Sequence, residues 1–195
     1  MLQELRPALV MMVLMTVLTG VVYPVAITGI AQAVFPDQAN GSLLTRDGEP
    51  IGSRLIGQSF ARPEYFHPRP SYAGNGYAAD SSSGSNLAPT SRELVEAVRD
   101  RATTLSAETG GGRVPIDLTT ASGSGLDPHI SPQAALFQVP GVAKARGLPE
   151  DRVRGLVEEQ TEGRLLGLLG EPRVNVLLLN FALDELAKGQ TDTNG

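Results

Sequence analysis

Between Arg6 and Asp37 the chain runs thirty residues without a charge. A helix over 8–35 would reach roughly 42 Å at about 1.5 Å per residue, enough for a hydrocarbon core of about 30 Å and part of both interfaces. Thirteen of its residues are Leu, Ile, Val or Phe. At about −0.3 to −0.6 kcal/mol each near a helix centre they sum to on the order of −4 to −8 kcal/mol for insertion, an upper bound because residues near the ends gain less. Pro24 would break a helix in water, but in lipid neighbouring helices and Thr side chains can satisfy the freed carbonyl, so a kink there is tolerable and the sequence predicts a single span. Ala31-Gln32-Ala33 resembles a signal-peptide cleavage site. Against cleavage, the apolar run far exceeds an h-region of about 7–15 residues, and its short n-region sets Arg6 beside Glu4 with no Lys. An uncleaved anchor fits better. Arg6 before the span and Arg46 and Arg54 after it leave orientation undecided by flanking charge.

The 160 residues after the span carry 15 basic and 20 acidic side chains, so they account for the whole net charge of −5. This length predicts one domain. An acidic domain is a poor partner for nucleic acid. There is no cysteine, which removes disulfides, thiolate chemistry and cysteine-based zinc sites and fits either side of a membrane. Phe60, Tyr65, Phe66, Tyr72 and Tyr77 fall within eighteen positions, the least ordinary feature of this part.

Local signals predict α+β with a small sheet. A hairpin is expected from Ser42 to Ile56 around Asp47-Gly48. Prolines and the Ser/Gly/Asn run to Asn86 predict an ordered loop over 62–89. A helix follows, capped by Thr90 with Glu93 and striped by Leu94, Val98, Ala102 and Leu105, and the Gly110-Gly111-Gly112 run stops it. Then come a short strand Ile116–Thr120, a loop over 122–131, and a helix starting at Ser131-Pro132 that Pro140-Gly141 interrupts before Val142–Arg146 resumes it. Pro149 opens another, with Val153, Leu156 and Val157 inward. Val174–Leu179 reads as a central strand before a short helix to about Leu186, and the tail from Gln190 as disordered.

The chemistry narrows by exclusion. Neither Lys144 nor Lys188 sits in a phosphate-binding Gly-rich loop, and no Asp precedes Lys-Thr-Gly, as an aspartyl-phosphate pump requires. His67 and His129 lack a second ligand at zinc spacing. Asp127, His129 and a nearby Ser can be drawn as a hydrolase triad, but no Gly-x-Ser-x-Gly elbow supports it. The Ser122-Gly-Ser-Gly loop invites an anion until Asp127 follows, a carboxylate where amides are needed. An anchored receptor would need the aromatic cluster to close a pocket. Asp127-Pro128-His129 reads instead as an architectural corner, Asp127 accepting backbone hydrogen bonds at the entrance to the next helix.

Taken together, Ile56-Gly-Gln-Ser-Phe60, His67-Pro-Arg-Pro-Ser71, Ser85-Asn-Leu-Ala-Pro-Thr90, the run Ser122 to Pro132 through Leu126-Asp127-Pro128-His129-Ile130, Gln138-Val-Pro140 and Gly170-Glu-Pro-Arg-Val-Asn-Val176 resemble the C subunit of the bacterial high-affinity potassium-transporting (Kdp) ATPase, over nearly the whole chain. Gly141 departs from the pattern, standing where an Arg is expected. The resemblance implies a non-catalytic subunit of an inner-membrane complex with a channel-like potassium-binding subunit, a P-type ATPase subunit and a small accessory subunit. It implies a cytoplasmic N-terminus (1–7), a span (8–35), an extracytoplasmic domain (36–189) and a short tail (190–195). ATP and K+ would then be used through the complex, none being held strongly by this chain alone. A catalytic-chaperone role that raises ATP affinity is attached to the family, with Gln138 as its contact; the plain alternative for Gln138 is a polar cap on the bend at Pro140. The span offers Thr16 with Gly20 and Gly29 with Ala33 as small-residue pairs for helix packing in lipid. Tyr72 and Tyr77, among small residues, are expected to project onto the channel-like partner, whereas Phe60 and Phe66 compete for the domain's own core. The alternative from another class is a membrane-anchored exported hydrolase.

Overall fold

The computed structural model describes residues 2–46, 48–109 and 111–191. Asp47 of the expected turn, Gly110 of the glycine run and residues 192–195 of the tail lie outside the described residues. The chain forms two compact units, Met1–Ser53 and Arg54–Gly195, and its class is α+β, an apolar N-terminal helix followed by helices with a small antiparallel sheet.

In the first unit, α1 (Leu2–Val17), a π-helical turn (Leu18–Val22) and α2 (Tyr23–Val34) run on as one helix. Its stretch Gln3–Val34 is long and apolar enough to cross a membrane, and none of its apolar window is buried within the chain. Just before Pro24 the helix makes a π turn. A proline ring clashes with the carbonyl four residues back, and here the turn widens so that the Tyr23 N–H reaches the Leu18 carbonyl, five back. Pro24 then lies at the junction of the π turn and α2. Thr16 and Thr19 donate their hydroxyls to the Met12 and Met15 carbonyls at 2.7 Å, leaving neither unpaired for lipid. After α3 (Pro36–Ala39) comes a hairpin of β1 (Leu43–Arg46) and β2 (Glu49–Ser53), with a register shift between Leu44 and Thr45. The second strand stops at Ser53, short of the expected Ile56, where the Ser53 hydroxyl closes the hairpin base onto the Gly41 carbonyl at 2.7 Å.

The second unit opens with a long loop and α4 (Arg92–Glu108). Leu94, Val98, Ala102 and Leu105 form its half-buried face as expected. The cap differs, being Ser91 rather than Thr90 and making no side-chain bond. The expected strand Ile116–Thr120 is instead a 3₁₀ turn, Ile116–Leu118. The Ile116 carbonyl takes the backbone N–H groups of Thr119 and Thr120 and both their hydroxyls at 2.9–3.0 Å, local bonds that compete with any ladder.

Two-residue β3 (His129–Ile130) lies within the expected loop and leads into α5 (Pro132–Arg146). Ser131 caps α5 by accepting the Ala134 N–H at 3.2 Å. Pro140 does not interrupt this helix. Ala134, Ala135, Gln138 and Val139 are buried before it and Val142 and Ala143 after it, so packing pins both halves and offsets the lost backbone bond. Next come α6 (Glu150–Glu159), with Val153 and Val157 buried, and β4 (Thr161–Glu162).

The apolar run at 174–179 divides rather than forming one strand: β5 is Arg173–Asn175 and α7 runs Val176–Thr191. Asn175 explains the break. Its side-chain oxygen accepts the Leu178 N–H at 3.2 Å, a helix cap, while its amide donates to the Arg54 carbonyl at 2.8 Å. β5 is central in the order β3-β5-β4, with Val174 paired to Ile130 on one side and Thr161 on the other. The core is Val174, Ile130, Val139, Val142, Val153, Val157, Leu179 and Leu183 around a wholly buried Phe66, with Phe60 partly buried against it.

Ser131→Ala should lower the free energy of unfolding by about 0.5–2 kcal/mol. Ser91→Ala, which removes no side-chain bond, should leave it within about 0.5 kcal/mol. Urea denaturation followed by circular dichroism reads both.

Candidate functional site

The segment Phe60–Pro70 has no regular secondary structure, yet at its centre it is held like a strand. Asn180 of α7 accepts the Phe66 N–H at 2.8 Å and donates to the Phe66 carbonyl at 3.0 Å. Gln138 of α5 treats the next residue in the same way, accepting the His67 N–H at 2.7 Å and donating to its carbonyl at 3.1 Å. The second Gln138 N–H goes to the Ala134 carbonyl at 3.2 Å. Both amides are buried, 4% and 2% exposed. Gln138 therefore neither caps a bend nor offers its amide outward, because both donors and its oxygen are engaged inside.

Alongside, α5 and α7 share an ion pair. Arg146 donates to Asp184 at 2.7 Å and to the Glu64 carbonyl at 2.7 Å, with its guanidinium 4.7 Å from the centre of the Tyr65 ring. Arg62 covers the same ring at 4.9 Å and donates to its hydroxyl at 2.9 Å.

The Asp127 corner is a second knot. Asp127 accepts the His129 N–H at 3.0 Å and an Arg69 N–H at 3.2 Å, while Arg69 also donates to the Thr120 and Ala121 carbonyls. Burial pushes the carboxyl pKa up, but hydrogen bonds from His129 and Arg69 and the Arg69 charge outweigh it and leave it below the ordinary 3.8. Two glycines permit the close packing here. A Cβ on Gly57 would meet the Asp127 carbonyl oxygen at 2.7 Å, and one on Gly125 (φ +68) the Ser83 oxygen at 2.5 Å.

Tyr72 and Tyr77 belong to this knot and do not project freely. The Tyr77 hydroxyl donates to the Arg69 carbonyl, and desolvation pushes its pKa up to about 12 against the lowering effect of Arg101. Arg101 donates to the Tyr72 hydroxyl at 3.2 Å and to the Thr119 carbonyl at 3.0 Å. Both rings are half-buried.

Of the hydrolase arrangement, Asp127 and His129 are brought together. His129 Nδ1 is 3.6 Å from Asp127; Ser131 caps α5, Ser124 accepts the Leu126 N–H and Ser82 donates to the Ser124 carbonyl, whereas the Ser122 hydroxyl is buried without a hydrogen-bond partner among the described residues. An open groove of about 1010 Å³ lies between α4, the 61–70 segment and α5, lined on α5 by Gln138, Gly141 and Lys144. A Cβ on Gly141 would meet nothing within 4 Å, so the fold does not demand glycine there and an Arg would extend into this groove.

The family model for the K+-transporting ATPase, c chain, matches residues 5–185. The chain belongs to the KdpC family. A "Potassium-transporting ATPase KdpC subunit" of Methylorubrum populi is 57% identical over 200 residues, spanning 96% of this chain and 100% of that protein. Proteins of the same name from Rhodospirillum rubrum and Caulobacter vibrioides are 59% and 58% identical over 187 and 185 residues, covering 95% and 94% of this chain and 97% and 94% of their own lengths. The KdpC match includes both amides, the Asp127 corner and the apolar helix. Asn180 was the member that sequence reasoning missed; its one local signal is an amide inside the apolar run Leu179-Asn180-Phe181.

Gln138→Leu, which strips both His67 backbone groups of their partner, should cost about 2–4 kcal/mol of unfolding free energy, and Asn180→Leu a similar amount. Combined, they should depart from additivity by at least about 0.5 kcal/mol in a double-mutant cycle, since they hold adjacent residues. Asp127→Ala should cost about 1–2 kcal/mol at neutral pH. Because the folded pKa is depressed, that contribution is fully present above 3.8 and is lost as pH falls through the lower folded value. The gap between wild type and variant, measured by urea denaturation across pH, should therefore close in acid.

Proposed function

We propose that this chain is a non-catalytic subunit of an ATP-driven potassium import complex in a bacterial inner membrane, and that it stabilises the assembly of a channel-like potassium-binding subunit, a P-type ATPase subunit and a small accessory subunit. The observation that carries this reading is the family match across residues 5–185, which takes in the membrane-length helix and the α+β unit together. In this reading 1–7 is cytoplasmic, 8–35 spans the membrane and 36–189 lies outside. ATP and K+ are used by the complex and not bound by this chain alone. Any effect on the pump's ATP affinity acts through assembly, because the Gln138 amide is already engaged with His67 and Ala134.

The span is the first assembly element. Gly29 and Ala33 sit within regular α2, whereas Thr16 and Gly20 bracket the start of the π turn. A Cβ on Gly20 or Gly29 would meet nothing within 4 Å, so a larger residue disturbs a partner and not this chain. Extraction in mild detergent should recover the wild type with potassium-transport membrane subunits. Gly29→Leu and Gly20→Leu should lower that recovery several-fold, and Leu18→Val should not. Wild-type chain recovered alone, or turning over model esters by itself, would overturn the proposal in favour of the anchored hydrolase.

A further inference from the structure

We propose that the turn Leu165–Leu169 is a docking knob that seats in an apolar socket on the external face of a membrane-embedded partner subunit. The inference rests on the subunit reading above. Leu165, Leu166, Leu168 and Leu169 are 67%, 85%, 81% and 62% exposed, four leucines in five residues turned to solvent while the polar side chains Gln138, Asn175 and Asn180 of the same unit are buried.

The turn is built, not frayed. Leu165 and Leu169 pair across it with a 2.9 Å bond from the Leu165 N–H to the Leu169 carbonyl, and the N–H groups of Gly167, Leu168 and Leu169 also find carbonyls within the turn. Leu166 holds φ +54, a left-handed conformation that disfavours a bulky side chain and that Gly or Asn would adopt more readily. Local folding gives no reason for a leucine here, and a contact outside the chain does.

Charge and area select the occupant. The turn's base carries Arg164 paired with Glu171 at 2.8 Å and Arg173 paired with Glu162 at 2.9 Å, two charges of each sign with no net charge. A lipid-seeking loop brings unpaired Lys or Arg or an aromatic belt, and residues 162–173 contain neither. An apolar centre inside a ring of paired charges has the anatomy of a protein interface and is complementary to a neutral, apolar socket with a polar edge. At about 60–120 Å² of apolar surface per fully exposed leucine side chain, the tip offers roughly 200–350 Å², well below the roughly 800 Å² per partner of a stable free-standing interface. It suits a subunit already held beside its partner by a span, where the second contact is made at high effective concentration.

The test uses the full chain in its membrane complex. Leu166→Asn combined with Leu168→Ser alters only exposed side chains and relieves the left-handed strain, so the melting temperature should stay within about 2 °C while partner recovery falls at least tenfold. Unchanged recovery overturns the knob. For a reading independent of that variant's folding, Leu168 is replaced by a photo-cross-linking benzophenone residue in the otherwise wild-type complex. Illumination should attach it to a membrane-embedded partner subunit. Attachment only to lipid, only to a second copy of this chain, or to nothing overturns the proposal. Failure of the subunit reading is separate and visible beforehand, as wild-type chain that recovers no partners at all.

Discussion

The second unit depends on two side-chain amides. A segment rich in proline and aromatic residues cannot join a sheet, yet Phe66 must be buried to fill the core, and its backbone goes in with it. An orphaned backbone group inside a core costs as much as a lost hydrogen bond or more. Asn180 and Gln138 resolve this by presenting a donor and an acceptor to each of two consecutive residues, as two strands flanking it on either side would. Each comes from a different helix, so the segment stays in register only while α5 and α7 stay packed. Arg146 and Asp184, eight and four residues further along the same two helices, join them again beside Tyr65 and extend one seam by about a turn or two.

The Asp127 corner works on the same principle with a charge. Arg69 leaves the amide-held segment two residues after His67 and spends its guanidinium on Asp127 and two carbonyls. One residue thus ties the aromatic loop to the entrance of β3 and, through Val176 N–H bonded to the Pro128 carbonyl at 2.9 Å, to the start of α7. Against the upward push of burial, the Asp127 carboxyl is held below its ordinary pKa first by hydrogen bonds from His129 and then by Arg69, contacts that organise loops.

What could be read in the sequence was local. The span, the Ser131 cap and the inward stripes of α4 and α6 depend on residues within a few positions of one another, and each was legible. Strand lengths were not, because a capping Asn175 ends β5 after three residues and a doubly used Ile116 carbonyl folds 116–118 into a 3₁₀ turn; the apolar pattern reads alike in both outcomes. Pro140 is tolerated because burial on both sides overrides a local signal. The amides act across 71 and 114 residues of chain, a separation at which one sequence holds no geometric information. Tyr72 and Tyr77 are read from sequence as projecting, and the Arg101 and Arg69 contacts that half-bury them are equally non-local.

Around an ordinary apolar core, buried amides and exposed leucines occur together. Asn175, Asn180 and Gln138 are buried and satisfied, while the apolar residues of the membrane-length helix and of the Leu165–Leu169 turn are the surface. A free-standing enzyme keeps polar groups where substrate meets them and apolar groups where water does not. Here Gln138, Asn180 and Arg69 are engaged in holding loops. The exposed apolar surface includes a stretch sized for a bilayer and a small tip that cannot support a stable contact alone. Each supplies what the other lacks: the span fixes the chain beside its neighbours without specifying one face of them, and a rigid tip specifies a face without the area to hold it. A membrane-length helix and a small exposed leucine tip together suit contacts made at high effective concentration within a membrane.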